Sequence, residues 1–409
     1  MSEQLNLKGS SKEKTALIQI CLLAVIYSAG AGAMWFLLPA MAEKFTDDVA
    51  LVGLMLSVPY VLSTLIAIPS GEFSDRVGRK AVARIGLLIV VFIGLIAPYV
   101  DSQLKFILFV AVLGVSIQLI NAPARAFVMD IAPEASTSEY FGMFIASMNL
   151  GLALGPMIIG YLMRDSLAAG IATASHMYIL VGLAGIVLFS MMADPVKNRE
   201  PLLVGFRNLL HSDKVFQRGI RQYGKLKKFG VILLVFTILL TIADGIIWTY
   251  EPLYYQHLGL DSTTGSLILA MFIIPMIVFG LSAGRIADKY GKINALTLGM
   301  IISGAALVLF GFSTTVIGLL GSAFLTSLGL ALVWASLSGL ITDISANHDR
   351  GSITGVWNMV MDVGYVVGPT LGGIIAAYTN HIGAAFSIMG LLLLISLTLI
   401  ITKDRKKAG

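Results

Sequence analysis

Apolar stretches long enough to cross a bilayer recur along this chain, separated by short polar breaks. A spanning helix needs about 20 apolar residues at about 1.5 Å of rise each. The pattern predicts twelve such spans. Six lie near 15–40, 50–71, 81–100, 104–130, 140–163 and 172–193; six more lie near 229–251, 262–284, 293–312, 315–342, 352–376 and 382–402. The hydrophilic start, Met1–Lys14, is followed by no cleavage-site pattern, and the first apolar run is too long for a signal peptide's core.

Composition agrees. Hydrophobic residues make up 57% of the 409-residue chain, charged residues 12%, and mean hydropathy is +0.88. A soluble domain carries about 25% charged residues, so this chain lacks the polar groups to cover a globular surface in water. The 42 glycines suit packed membrane helices. Cys21 is the single cysteine, which excludes an internal disulfide.

Charge sets an orientation. With the N-terminus inside and twelve crossings, Lys8, Lys12, Lys14, Arg76, Arg79, Lys80 and Arg84 fall on the cytoplasmic side. So do the basic residues from Lys197 to Lys228, and Arg285, Lys289, Lys292, Arg350, Lys403, Arg405, Lys406 and Lys407. Lys44, Lys105 and Arg164 fall outside. This bias predicts both termini in the cytoplasm of a multi-pass cell-membrane protein. The net charge of +5 then reflects topology and gives no nucleic-acid footprint.

The chain repeats itself. GEFSDRVGRK begins at Gly71 and GRIADKYGKI at Gly284, an offset of 213 residues. That offset also pairs Trp35 with Trp248, Pro39 with Pro252, Asp75 with Asp288, Gly78 with Gly291, Asp130 with Asp343 and Gly142 with Gly355. It pairs Gly151, Gly155 and Pro156 with Gly364, Gly368 and Pro369. Two six-helix bundles related by an axis along the membrane normal are the physical reading. The expected organisation is a tail at 1–14, a bundle at 15–193, a basic linker at 194–228, a second bundle at 229–402 and a tail at 403–409. Within the linker, VGFRNLLHSDKVF either forms a short helix on the lipid surface or serves only as a flexible connection.

The repeated loop carries Gly71, Asp75, Arg76, Gly78, Arg79 and Lys80, then Gly284, Asp288, Lys289, Gly291 and Lys292, with Ile293 at the last basic position. Glycines here would let the chain turn back sharply, and the cations would hold the turn at an anionic leaflet. This pattern resembles the loop between the second and third helices of the major facilitator superfamily, and the resemblance covers nearly the whole chain. It implies twelve transmembrane helices in two pseudo-symmetric bundles. It also implies that Asp75 latches the halves at the start of span 11, near Gly351–Ser352. Span 5 carries Gly142, Gly151, Gly155 and Pro156, with Ile159 before Gly160; span 11 carries Gly355, Gly364, Gly368, Pro369, Gly372 and Gly373. This spacing resembles the element associated with the superfamily's antiporters. Glycines four apart also allow ordinary close helix packing. The arginine that drug antiporters of the family carry early in span 4 is absent from FVAVLGVSIQL; Arg125 lies late in that span.

Polar side chains inside spans mark candidate chemistry. Thr241, Asp244, Trp248, Glu251 and Tyr255 recur every three or four residues, so they share one helix face. Gln118, Asn121 and Arg125 form a second stripe; Tyr27, Ser28 and Trp35 lie on span 1, and Trp334 and Ser338 on span 10. The resemblance implies that spans 1, 4, 7 and 10 line the transport cavity, and the stripes fall on those spans. Asp244 lies about 22 Å into span 7 and Asp362 about 15 Å into span 11. Glu251, near the outer end, reads as a rim residue in water. Desolvation disfavours a carboxylate anion, so a buried acid can load and release a proton as access alternates. Asp244 is the first candidate and Asp362 the second. The alternative for Asp244 is a structural hydrogen bond or an ion pair, for instance with Arg125. Trp35, Trp248 and Trp334 would stack on an aromatic or amphipathic ligand or serve as packing aromatics.

Gly219, Gly224 and Lys225 mimic a phosphate loop, but Leu226 stands where Ser or Thr is needed, and no strand precedes it. The five histidines lack metal-ligand spacing. The expectation is therefore a non-enzymatic, monomeric secondary transporter without cofactor or metal. Its partners would be a small-molecule substrate, protons as coupling ion, and the lipid bilayer. It would export a drug-like molecule or metabolite in exchange for protons. Uptake of a sugar or organic acid is the first alternative, and Arg125 would suit an anion. A membrane sensor or lipid-handling protein is the second.

Overall fold

The computed structural model describes residues 11–133, 136–163, 166–194, 200–202, 204, 228–345 and 350–399. The linker at 194–228 falls mostly outside them, with its short helix and its phosphate-loop mimic; so do the tails at 1–10 and 400–409.

The described secondary structure is helical throughout. Each helix satisfies its own backbone hydrogen bonds, as a segment in hydrocarbon must. Six helices come first: α1 (Ser11–Glu43), α2 (Val49–Val77), α3 (Arg79–Ile96), α4 (Gln103–Ile131), α5 (Thr137–Met163) and α6 (Leu167–Met191). Then come α7 (Lys228–His257), α8 (Ser262–Met271), α9 (Ile274–Tyr290), α10 (Lys292–Phe312), α11 (Val316–Ser345), α12 (Arg350–Thr379) and α13 (Gly383–Ser396). Among the described residues, eleven stretches are long and apolar enough to cross a membrane, and α13 is a shorter apolar helix within the expected twelfth span. The fold is that of an all-α polytopic membrane protein.

Two details differ from the sequence expectation. The span expected at 262–284 is broken between α8 and α9, at Phe272 and Ile273. Pro275 follows the break; proline lacks an N–H and crowds the carbonyl four residues back. The amide of Met276 donates instead to Ser327 Oγ on α11, at 3.1 Å. The turn between spans 2 and 3 is also shorter than expected. Gly71 lies inside α2 and Gly284 inside α9, and a single residue makes each turn. Gly78 has φ 111° and Gly291 φ 93°, a region that side chains disfavour.

The described chain packs as two compact units. Its described residues within Met1–Met34, Val61–Leu162 and Ala168–Asp213 form the first, and those within Trp35–Tyr60, Met163–Leu167 and Lys214–Gly409 form the second. In the first unit, α5 lies directly on α1. A Cβ at Gly155 would strike Ala29 O and lie 2.7 Å from Ala33 N, and one at Gly151 would strike Val25 O. Pro156 Cδ sits 3.0 Å from where a Cβ on Gly32 would be.

In the second unit α12 lies on α7 through the same joint. A Cβ at Gly368 would lie 2.7 Å from Ile242 O, and one at Gly364 would lie 2.9 Å from Ile238 O. Pro369 Cδ stands 3.2 Å from the Cβ position of Gly245. Each glycine, proline and carbonyl of one joint maps onto the other at the 213-residue offset. Gly142 departs from the expected packing role, because among the described residues a Cβ there meets nothing within 4 Å. Elsewhere in the second unit, Phe310 packs edge-on to both Phe272 and Phe386, with Tyr254 beside Phe310 and Phe386. The Tyr254 hydroxyl is within 3.0 Å of the carbonyl oxygens of Gly311 and Ser313.

This packing separates two substitutions in one helix. Gly155→Ala should destabilise the protein by about 1–3 kcal/mol through overpacking, whereas Gly142→Ala should be neutral or stabilise by up to about 1 kcal/mol. Thermal unfolding in lipid nanodiscs reads the difference, and equal losses would refute the joint.

Asp261 caps α8, accepting from the Thr264 hydroxyl at 2.7 Å and from the Thr264 amide at 2.9 Å. These bonds, the hydroxyl's first, hold its carboxyl below the usual range. The contribution is therefore present at neutral pH and is lost as the pH falls through the folded-state value. Asp261→Ala should cost about 1 kcal/mol at neutral pH and progressively less in acid.

Candidate functional site

The second unit gathers the acids and aromatics of the α7 stripe. Asp244 lies mid-helix in an otherwise apolar segment, and its Oδ2 accepts from the Tyr365 hydroxyl on α12 at 2.8 Å. The α7–α12 joint fixes this register, because Tyr365 adjoins Gly364 and lies one turn before Gly368 and Pro369. The Tyr365 ring stacks on Tyr60 of α2, with centroids 5.6 Å apart and planes 11° apart. Tyr60 in turn packs on Trp35 of α1 at 4.9 Å. One chain of contacts thus runs from Trp35 through two tyrosines to the Asp244 carboxyl.

Beyond it, Tyr255 stacks on Phe36 at 5.7 Å, with planes 3° apart. The Tyr250 hydroxyl donates to Pro369 O at 2.6 Å. Gly53 of α2 seats directly on that carbonyl and hydroxyl, and Gly373 lies where a Cβ would be 2.7 Å from Val49 O. Residues 35–60 are therefore closely packed on α7 and α12.

Glu251 is not where the sequence put it. Expected as a rim residue in water, it is 0% exposed, and among the described residues neither carboxyl oxygen has a hydrogen-bond partner. Its neighbours on α7 are overlain here, Tyr255 by Phe36 and Tyr250 by Gly53. Trp248, on the same stripe, is half-buried.

The remaining predicted residues are dispersed. Trp334 of α11 faces Trp357 of α12 at 6.5 Å, and the Trp357 indole donates to Thr237 Oγ1 at 2.9 Å. Asp362 is half-buried on α12. In the first unit, Tyr27 and Asn121 line a small apolar cavity with Ile20, Leu23, Phe144 and Met148. Gln118 donates to Ser63 Oγ at 2.9 Å, and Arg125 is exposed.

The basic turns are tied down. Arg79 bonds Asp130 at 3.0 Å and Ser74 Oγ at 2.8 Å, and pairs with Asp75. The Lys80 amide donates to Asp194 Oδ2 at 3.2 Å, and Arg76 pairs with Glu72 at 2.6 Å. In the second unit, Lys292 pairs with Asp343 at 2.8 Å, the counterpart of Arg79–Asp130 at the 213-residue offset. Asp288 and Lys289 are exposed at the corresponding turn. The side chains of 350–356, the expected partner of the Asp75 latch, lie outside the described residues.

Sequence reasoning missed Tyr60, Tyr365 and Trp357. Tyr365 follows Asp362 by three residues, so it shares that acid's helix face. Tyr60 lies between Ser57 and Ser63 at helical spacing. Both patterns were readable as polar stripes.

Comparison with known proteins bears on identity. The model of the family described as Major Facilitator Superfamily matches residues 20–241 and 233–409. An uncharacterized MFS-type transporter of Methanocaldococcus jannaschii is 24% identical over 328 residues, covering 80% of this chain and 82% of the relative. The quinolone resistance protein NorA of Staphylococcus aureus is 26% identical over 180 residues, covering 44% of this chain and 46% of NorA. Among solved structures, a D-xylose–proton symporter superposes with a TM-score of 0.75 at 14% identity, covering 94% of this chain and 97% of that one. At that identity the likeness is one of fold. With the repeated helix joint, the paired basic turns and a family match running from residue 20 to residue 409, this chain belongs to the Major Facilitator Superfamily.

Proposed function

We propose that the chain is a secondary active transporter that exports a small organic molecule by alternating access, in exchange for protons. The observation that carries the reading is the Asp244 carboxyl, set mid-way along an apolar spanning helix with a tyrosine hydroxyl as its bonded partner. An acid in the membrane interior is costly and marks a path for ions or substrate. Its bond to Tyr365 ties it to α12, and through Tyr60 and Trp35 to α2 and α1. A change of charge at Asp244 therefore acts on several helices, as coupling of proton to conformation requires.

The aromatic set suits a ligand with a flat, apolar body, since stacked rings supply large contact area with defined geometry. The named role of one relative, quinolone resistance, concerns molecules of that kind and supports export. Both termini and the basic turns would face the cytoplasm under the charge bias of the sequence. The transporter would act as a monomer in the cell membrane, and Asp75 would hold the closed arrangement at the cytoplasmic end.

Purified protein in proteoliposomes, with a pH reporter inside and a panel of quinolones, sugars and organic acids outside, tests this reading. Wild type should move a quinolone against proton flux. Asp244→Asn should retain ligand binding yet lose pH-dependent transport. Tyr365→Phe should transport more slowly than wild type, with its pH midpoint displaced but its pH dependence intact. Unchanged pH dependence in Asp244→Asn refutes the proton site, and co-transport of a sugar with protons refutes export.

A further inference from the structure

We propose that Glu251 is a second proton-carrying acid of the transport cycle, held neutral while residues 35–60 pack on α7 and able to release its proton when they part. The role in the cycle rests on the proton-coupled reading above; the protonation state does not.

The geometry is unusual for a carboxyl group. Glu251 is fully buried, and among the described residues both of its oxygens lack a partner. Burying an ionised carboxylate with neither counter-charge nor hydrogen bond is far costlier than burying the neutral acid. Titratable and charged side chains on the facing stretches are Asp244, Tyr250, Tyr254, Tyr255 and His257 of α7, Glu43, Lys44, Asp47, Asp48 and Tyr60 within 35–60, and Asp362, Tyr365 and Tyr378 of α12. None of them bonds to Glu251, while α8 and α13 bring no titratable group. The acid therefore sits as a neutral, apolar-packed side chain.

The repeat gives an independent argument. At the 213-residue offset Glu251 corresponds to Leu38 of α1, which is also 0% exposed. Asp244 likewise corresponds to Ala31, while Trp248 keeps its counterpart Trp35. The fold thus fills this position once with an apolar side chain. Nothing in the packing asks for an acid in the second copy, where Glu251 lies two turns along the same face from Asp244. The 35–60 segment packs on α7 within about one turn of it, through Phe36 on Tyr255 and Gly53 on Tyr250. Departure of that segment would bring water to Glu251 and let it ionise. Its return would require the proton back.

Infrared spectroscopy of the protein in lipid nanodiscs tests this without a substrate. A protonated carboxyl free of hydrogen bonds has a C=O stretch at distinctly high frequency. At neutral pH that band should be present in wild type, lost in Glu251→Gln, and retained in Asp244→Asn. Retention in Asp244→Asn separates this assignment from that of Asp244. A wild-type spectrum lacking the band, or a band that survives Glu251→Gln, overturns the proposal.

Glu251→Leu, which restores the residue of the first copy, should unfold at the same temperature as wild type or higher. A marked loss would mean that the acid is ionised and paired, and would also overturn the proposal. As pH is raised, the band should vanish reversibly, in step with faster hydrogen–deuterium exchange in residues 35–60. A band that never titrates, or one that titrates with no change in that exchange, refutes the carrying role.

Discussion

Close approach of helix backbones at glycines is the constraint on which the rest of this structure depends. In hydrocarbon there is no hydrophobic force to press helices together, so packing and weak polar contacts must do it. Where α5 meets α1 and α12 meets α7, glycine replaces any side chain that would hold the axes apart. Carbonyl oxygens of one helix then lie against the Cα positions of the other, the geometry of Cα–H···O contact. Proline follows the second glycine in both joints and meets a third glycine across the interface. The joint fixes axial register to within a fraction of a turn. That register is what sets Tyr365 opposite Asp244 and Trp357 opposite Thr237.

A scaffold built twice from one plan makes its exceptions informative. Packing requirements recur at the 213-residue offset: the glycines, Pro156 and Pro369, the tryptophans at 35 and 248, and the ion pairs Arg79–Asp130 and Lys292–Asp343. Asp244 and Glu251 do not recur; Ala31 and Leu38 stand in their places. Residues shared by both copies are explained by folding. The two acids present in one copy are not, and they lie on the helix overlain by residues 35–60. Structural symmetry with chemical asymmetry is the arrangement expected when one half of a repeat has taken on the ionisable work.

Much of this was legible in the sequence because its signals are periodic and local. Span positions follow from runs of apolar residues, the stripe on α7 from spacings of three and four, and the twin joints from glycine and proline at a constant offset. What was not legible depends on neighbours distant in the chain. Glu251 lies near the end of its span, which suggests water, yet it is fully buried where Phe36 and Gly53, roughly two hundred residues earlier, pack on its neighbours Tyr255 and Tyr250. Gly142 has the motif's spacing but open space around it, because spacing reports the face a residue occupies and not what stands opposite. The break between α8 and α9 was announced by Pro275, but an apolar run hides it from a hydropathy reading.

The basic turns show the same economy at the helix ends. Gly78 and Gly291 each turn the chain in one residue at positive φ, so the next residue starts a new helix at once. That residue is Arg79 in one copy and Lys292 in the other, and each reaches an aspartate at the end of a neighbouring helix. A cation at the first turn of a helix is opposed by the helix dipole, so this placement is unfavourable unless an anion compensates. Asp130 and Asp343 supply that compensation; Asp75 also pairs with Arg79, while its counterpart Asp288 is exposed. Among the described residues Arg79 thus contacts two carboxylates and Lys292 one. Removal of Asp75 would therefore leave Arg79 still paired with Asp130.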